Sequence, residues 1–211
     1  CALPISGATD VRTYSEQLLR LLDSLHIDKA HIVGHSLGGL VATAFAVDHP
    51  TRTASIAVLN SVFQRTDNQK APVLRRAHAL AQDGRMDIDT TLLRWFGEPG
   101  AHPYPEADAL CRGLLESVNA SGYAAAYMTF ASADQEAAHY ASLAMPALFA
   151  TGDGDPNSTP EMAAQMAALA PQGEVVVLTD ARHMMSLTHP SLVNKMIRTN
   201  LARTEPGRST T

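Results

Sequence analysis

Cysteine is almost absent: there are two in 211 residues, Cys1 and Cys111, too few for a disulfide framework. That scarcity suits a reducing compartment, so a cytoplasmic location is expected. Basic residues are also sparse, 16 Lys and Arg against 21 Asp and Glu, for a net charge of -5. No basic block interleaves with aromatics, which argues against nucleic acid as a partner. The apolar runs are short and interrupted, so no membrane-spanning helix is expected. No secretory apolar segment opens the chain, and no His, Cys, Asp and Glu cluster has metal-ligand spacing. Internal repeats and low-complexity tracts are missing as well. What remains is an ordinary globular mix, 45% hydrophobic and 18% charged. Its length suits one domain with a buried core and room for an insertion.

Cys1-Ala2-Leu3-Pro4-Ile5 reads as the translation of a sequencing-adapter end and is set apart from the fold as a non-native leader. From Val11 to Leu25, apolar Tyr14, Leu18, Leu21, Leu22 and Leu25 recur at helical spacing, with Asp10 as the N-cap. His31-Ile32-Val33 is a short apolar strand ended by Gly34, and Leu37–Val47 is a helix stopped by His49-Pro50. Thr53–Leu59 reads as a second buried strand, Ala147–Thr151 as a third strand and Glu174–Leu178 as a fourth. Pro160–Ala170 and Asn194–Leu201 read as helices, the first with proline at its start. Strands alternating with helices imply an α/β fold with a parallel sheet. Phe63 to Tyr140 differs: helical stretches and breakers alternate and no strand-like run occurs, the texture of a helical insertion.

Gly34-His35-Ser36-Leu37-Gly38 fits G-x-S-x-G between a strand and a helix. Such a turn holds its serine in a strained conformation above the sheet. Ser36 is therefore the candidate nucleophile, and the Leu37 N–H, at a helix N-terminus, a candidate oxyanion donor. Side chains at Gly34 or Gly38 are expected to collide with neighbouring backbone, while Gly39, Ala42 and Ala46 let the helix approach the sheet. Nucleophilic serine chemistry also needs a base and an acid that orients it. Gly152-Asp153-Gly154-Asp155 follows a strand; Asp155, deeper in the loop, is preferred as the acid over Asp153, an Asx-turn residue. The alternative acid position, after Thr53–Leu59, holds Asn60 and Ser61, which cannot serve. His183, in the loop after the last strand, is the candidate base. Its rival His189 precedes Pro190 and reads as a surface residue at a helix start.

The elbow His31-Ile32-Val33-Gly34-His35-Ser36-Leu37-Gly38-Gly39, the acid loop Gly152-Asp153-Gly154-Asp155 and the pair Arg182-His183 together resemble α/β-hydrolases, over about Thr13 to Leu201. The resemblance implies that fold, a Ser36, Asp155 and His183 triad, Leu37 in the oxyanion hole, no cofactor and no metal. Arg94-Trp95-Phe96 and Gly122-Tyr123-Ala124 are similar to the lid of 3-oxoadipate enol-lactonases, whose substrate carries a free carboxylate. His35, Arg94, Trp95 and Arg182 are thus candidate substrate contacts. Arg94 either pairs with a carboxylate or is solvated while Trp95 and Phe96 pack the lid. Arg182 stands where many relatives have glycine.

The family's early strands have no counterpart before Val11, Gly7-Ala8 reads as the remnant of a preceding loop, and no His-Gly pair supplies a second oxyanion donor. A C-terminal portion of a longer hydrolase is therefore expected, with an unpaired edge on the elbow strand and little activity by itself. The expected division is a leader at 1–5, core at 6–61, helical lid at 62–140, core again at 141–203 and a disordered tail at 204–211. The expected activity is hydrolysis of a small ester or enol-lactone through an acyl-enzyme. A C–C bond hydrolase, an acyltransferase and a non-catalytic binding protein of the same fold are the alternatives. The oligomeric state is not legible.

Overall fold

A computed structural model describes residues 10–84, 86–98, 103–133 and 135–204. The expected leader, Gly7-Ala8 and the tail beyond Thr204 lie outside the described residues. Apolar residues occupy successive positions in the central strands because both faces of the sheet are covered. Strands β1 (Ala30–His35), β2 (Thr53–Leu59), β3 (Ala147–Gly152) and β4 (Gly173–Leu178) pair in parallel, in that order. On one face, Ile56, Val58, Ala147 and Phe149 pack against Leu22 of α1 (Val11–Ser24) and Leu40 and Phe45 of α2 (Leu37–Asp48). On the other, Ala57, Leu59, Leu148 and Ala150 form a second cluster.

Between β2 and β3 run α3 (Asp67–Asp83), α4 (Ile88–Phe96), α5 (Pro105–Ser117), α6 (Ala120–Ser132) and α7 (Ala137–Ala141). As the breakers imply, no strand occurs there among the described residues. Local chemistry starts these helices: Thr66 and Gln69 form a capping box on α3, while Asp87 and Asn119 cap α4 and α6 through their side chains. Val73, Ala77 and Ala131 hold α3 to α6; Leu92, Phe96, Cys111 and Leu115 hold α4 to α5. Tyr140 of α7, fully buried, belongs instead to the main core.

The remaining elements are α8 (Pro160–Leu169), α9 (Met185–Thr188) and α10 (Pro190–Ala202). Met162 and Met166 of α8 join the first layer, and Met185, Val193 and Met196 of α9 and α10 close the second. The last helix starts at Pro190 rather than at Asn194, because proline supplies its first residue as Pro160 does for α8. Helix α9 has four residues, too short for periodicity to announce it. Asp10 caps α1 as expected, accepting from the Thr13 N–H at 2.8 Å. No described helix is long and apolar enough to cross a membrane.

Candidate active site

One residue separates β1 from α2, so the chain must turn within Ser36. It does so at φ 55° and ψ -117°, a conformation that costs a non-glycine residue roughly 1–3 kcal/mol. The surroundings hold it there: the Ser36 N–H donates to Leu59 O at 2.8 Å, and the Ser61 hydroxyl donates to Ser36 O at 3.0 Å. A Cβ on Gly34 would lie 2.0 Å from Gly38 O, so glycine is obligatory there. Gly38 does not meet the same expectation: a Cβ there has nothing within 4 Å. The steric demand falls instead on Gly39, where a Cβ would stand 2.7 Å from the Ser61 Cβ. Leu37 opens α2, so its N–H has no acceptor one helical turn back.

The loops after β3 and β4 are fastened together. Gly152 lies so close to the second loop that a Cβ would sit 2.1 Å from Ala181 O, and the Gly154 N–H donates to that carbonyl at 3.0 Å. This brings buried Asp155 to His183, with Oδ2 and Nδ1 2.8 Å apart, while Asp153 is exposed. Oδ1 accepts from the N–H groups of Asn157 at 2.9 Å and Ser158 at 3.1 Å, and Asn60 Nδ2 donates to Oδ2 at 2.9 Å. Burial by itself would raise the pKa of Asp155. The hydrogen bond and charge of His183, with the donors from Asn157 and Asn60, outweigh burial and hold it below the ordinary carboxylate value. An ionised Asp155 can only accept, so the proton between the two groups sits on Nδ1 of His183.

Sequence reasoning dismissed Asn60 and Ser61 as acids and overlooked what they do. Asn60, at φ 48°, ties the two loops, donating also to Arg182 O at 3.3 Å. The signal was their place: β2 lies between the strands that lead to Ser36 and to Asp155. His189, the rejected rival, stands just before α10 and its ring meets Thr188 and Tyr104 instead of the Ser36 cavity.

His183 and Ser36 line one cavity of about 250 Å³, with Leu37 and His35 on the sheet side and Arg94, Trp95, Tyr123 and Tyr127 from the insertion opposite. No hydrogen bond runs directly between the Ser36 hydroxyl and the His183 ring among the described residues. His35 donates from Nε2 to His183 O at 2.7 Å, and its ring lies 4.8 Å from that of His183. Burial above all, then the neighbouring imidazole, pull its pKa to about 4, so His35 is neutral and a firm donor. Trp95 stacks on the other partner, its ring centroid 6.0 Å from His183 and tilted by 26°. Of the expected substrate contacts, Arg182 alone is elsewhere. It is exposed and lies against Gly97 and Gly154 in a neighbouring groove, because the turn that aims His183 inward aims its predecessor outward.

A strand, a one-residue turn at a serine, a helix, and an Asp–His pair from later loops are the frame of one known superfamily. The sequence profile of the alpha/beta hydrolase family matches residues 3–196. The chain belongs to the alpha/beta hydrolase family. Within the family it is 36% identical over 201 residues to (E)-2-((N-methylformamido)methylene)succinate hydrolase of Acinetobacter baylyi, covering 95% of this chain and 75% of that enzyme. With a 3-oxoadipate enol-lactonase of the same organism it shares 33% identity over 157 residues, 72% of this chain and 56% of that enzyme. Among solved structures, a thermophilic esterase from Thermogutta terrifontis with malate bound superposes at a TM-score of 0.84 with 26% identity, over 96% of this chain and 75% of that one. The enol-lactonase from Burkholderia xenovorans superposes at 0.80 with 25% identity, over 94% and 75%. These alpha/beta hydrolase relatives are enzymes, and the parallel sheet with flanking helices is the family's fold.

Proposed function

We propose that this hydrolase cleaves a carboxylic ester or enol-lactone through an acyl-enzyme, with Ser36 as nucleophile, His183 as base and Asp155 as its orienting acid. The observation that carries the reading is the buried Asp155–His183 hydrogen bond of 2.8 Å in the wall of the cavity that also exposes strained Ser36. Ser36 Oγ attacks the acyl carbon while His183 Nε2 takes its proton, and Nδ1–H stays on Asp155. The Leu37 N–H meets the oxygen as it becomes negative. Collapse breaks the bond to the leaving oxygen, which receives the proton from His183. Water, deprotonated by the same ring, then attacks the acyl-Ser36 ester and frees the acid. Similarity to an esterase and to enol-lactonases supports the choice of acyl bond.

A fluorophosphonate probe tests the nucleophile itself. It should label the chain at Ser36, with the label abolished in Ser36→Ala and slowed about 100-fold or more in His183→Ala. A folded chain that stays unlabelled would leave a binding protein of the same fold.

A further inference from the structure

A carboxylate bound to one ring nitrogen does not fix a histidine. The hydrogen bond from Nδ1 to Asp155 decides which nitrogen carries the proton. The ring can still turn about its bond to Cβ, a torsion with broad preferences. Reaction at Ser36 depends on where Nε2 points, and a misplacement of about 1 Å can cost about 100-fold in rate. A second group must therefore hold the plane of the His183 ring. His35 is poorly suited to this: its ring meets the imidazole at 56°, and its hydrogen bond goes to the backbone carbonyl.

Trp95 offers the flatter surface. Its ring lies at 26° to that of His183 with centroids 6.0 Å apart, within the range of offset stacking. The indole is half-buried and is held from behind, where it packs against the cluster of Leu92, Phe96, Cys111 and Leu115 that joins α4 to α5. The same helix meets both chain neighbours of His183. Met184 packs on that cluster, and Arg182 lies so close to Gly97, just past α4, that a Cβ there would stand 3.1 Å from its Nε. Arg182, His183 and Met184 thus rest in succession on one helix of the insertion, while Asp155 holds the ring from the core. A helix that merely covered the cavity would have no reason to grip the loop of the base.

We propose that Trp95 is a positioning residue for His183: α4 presents the indole face to the imidazole, fixes the plane of the ring and so aims Nε2 at Ser36. On the reading of His183 as the base, the insertion then takes part in proton transfer besides shaping the cavity. A displaced α4 would release the ring plane with the bond to Asp155 still made.

The chain has one tryptophan, so its indole signals are assigned without ambiguity. In wild type, NMR should show cross-relaxation between the indole protons and the carbon-bound ring protons of His183, the latter identified by their loss in His183→Ala. A folded wild type without that contact overturns the proposal. Fluorophosphonate labelling separates positioning from a contact with the substrate. Trp95→Leu should lower the limiting rate at saturating probe by about 3- to 10-fold, with the half-saturating concentration unchanged. Trp95→Phe, which restores a flat face, should recover most of that loss. An unchanged limiting rate, a loss confined to half-saturation, or no recovery in Trp95→Phe overturns the proposal. If Trp95→Leu does not fold, Trp95→Met makes the same comparison, being flexible where phenylalanine is flat. A wild type that shows the NMR contact but takes no label removes the hydrolase reading and this inference with it. A labelled wild type whose limiting rate ignores the loss of Trp95 removes this inference alone.

Discussion

Asp155 and His35 grip His183 from opposite ends, one on the ring and one on the backbone. On the acyl-enzyme reading, Asp155→Asn leaves the packing in place but lets the imidazole take the wrong tautomer. The rate of Ser36 labelling should drop by about 1,000-fold or more while the melting temperature moves little. His35 makes a prediction about acid. An unfolded histidine takes its proton near 6.5, whereas in the fold burial, then the neighbouring His183 imidazole, hold His35 to about 4. Between those values the unfolded chain binds more protons, so stability must fall as the pH drops from 6.5 to about 4. The loss is bounded at about 3 kcal/mol. Asp155, held below its ordinary 3.8, adds to it only in more acid solution. Urea midpoints measured across that range should decline for wild type and decline less for His35→Gln, which keeps a donor but does not titrate.

At the scale of elements, the β1–α2 turn distinguishes two glycines that look alike in the motif. A methyl at Gly34 would drive into Gly38 O at 2.0 Å, backbone against backbone, whereas at Gly38 it enters open space. Gly34→Ala should therefore destabilise by about 3 kcal/mol or more, or yield no folded protein. Gly38→Ala, in the first turn of α2, should stay within about 1 kcal/mol of wild type. Chemical denaturation of both variants gives the contrast. Equal effects would mean that the turn is not as tight as its geometry implies. The motif string was fully legible, but the distinction was not: both glycines flank the serine symmetrically in sequence, and only the return of α2 over β1 makes one approach close and the other open.

For the whole molecule, the joint between sheet and insertion rests on Arg65. This buried side chain leaves the segment between β2 and α3, and its Nη2 donates to the carbonyls of Phe130, Ala131 and Ala133 at 2.9, 3.1 and 2.7 Å. It also lies 5.0 Å from the Phe130 ring, so one cation closes the C-terminus of α6 where the insertion returns to the core. Arg65→Met should cost about 2–3 kcal/mol, because it strands buried carbonyls. Hydrogen exchange should quicken in α3 and α6 before it does in β2 and β3. Loss of protection spread evenly over the sheet would mean that Arg65 is not a local clasp.

The sequence by itself determined the alternation of strands and helices, the capped start of α1 and the proline start of α8, the elbow at Ser36 and the loops that hold Asp155 and His183. These depend on neighbours in the chain: apolar runs, prolines, caps and a strand-to-helix turn. It favoured Asp155 over Asp153 by depth in the loop, but only the loop around Ala181 decides that Asp155 is the one buried against His183. It likewise could not separate Arg94, which faces the cavity, from Arg182, which faces away, or show that Asn60 ties the loops of Asp155 and His183 together. Those outcomes depend on contacts between segments up to 122 residues apart, as between Asn60 and Arg182. Such contacts arise only when the sheet, the insertion and the last loop are packed together.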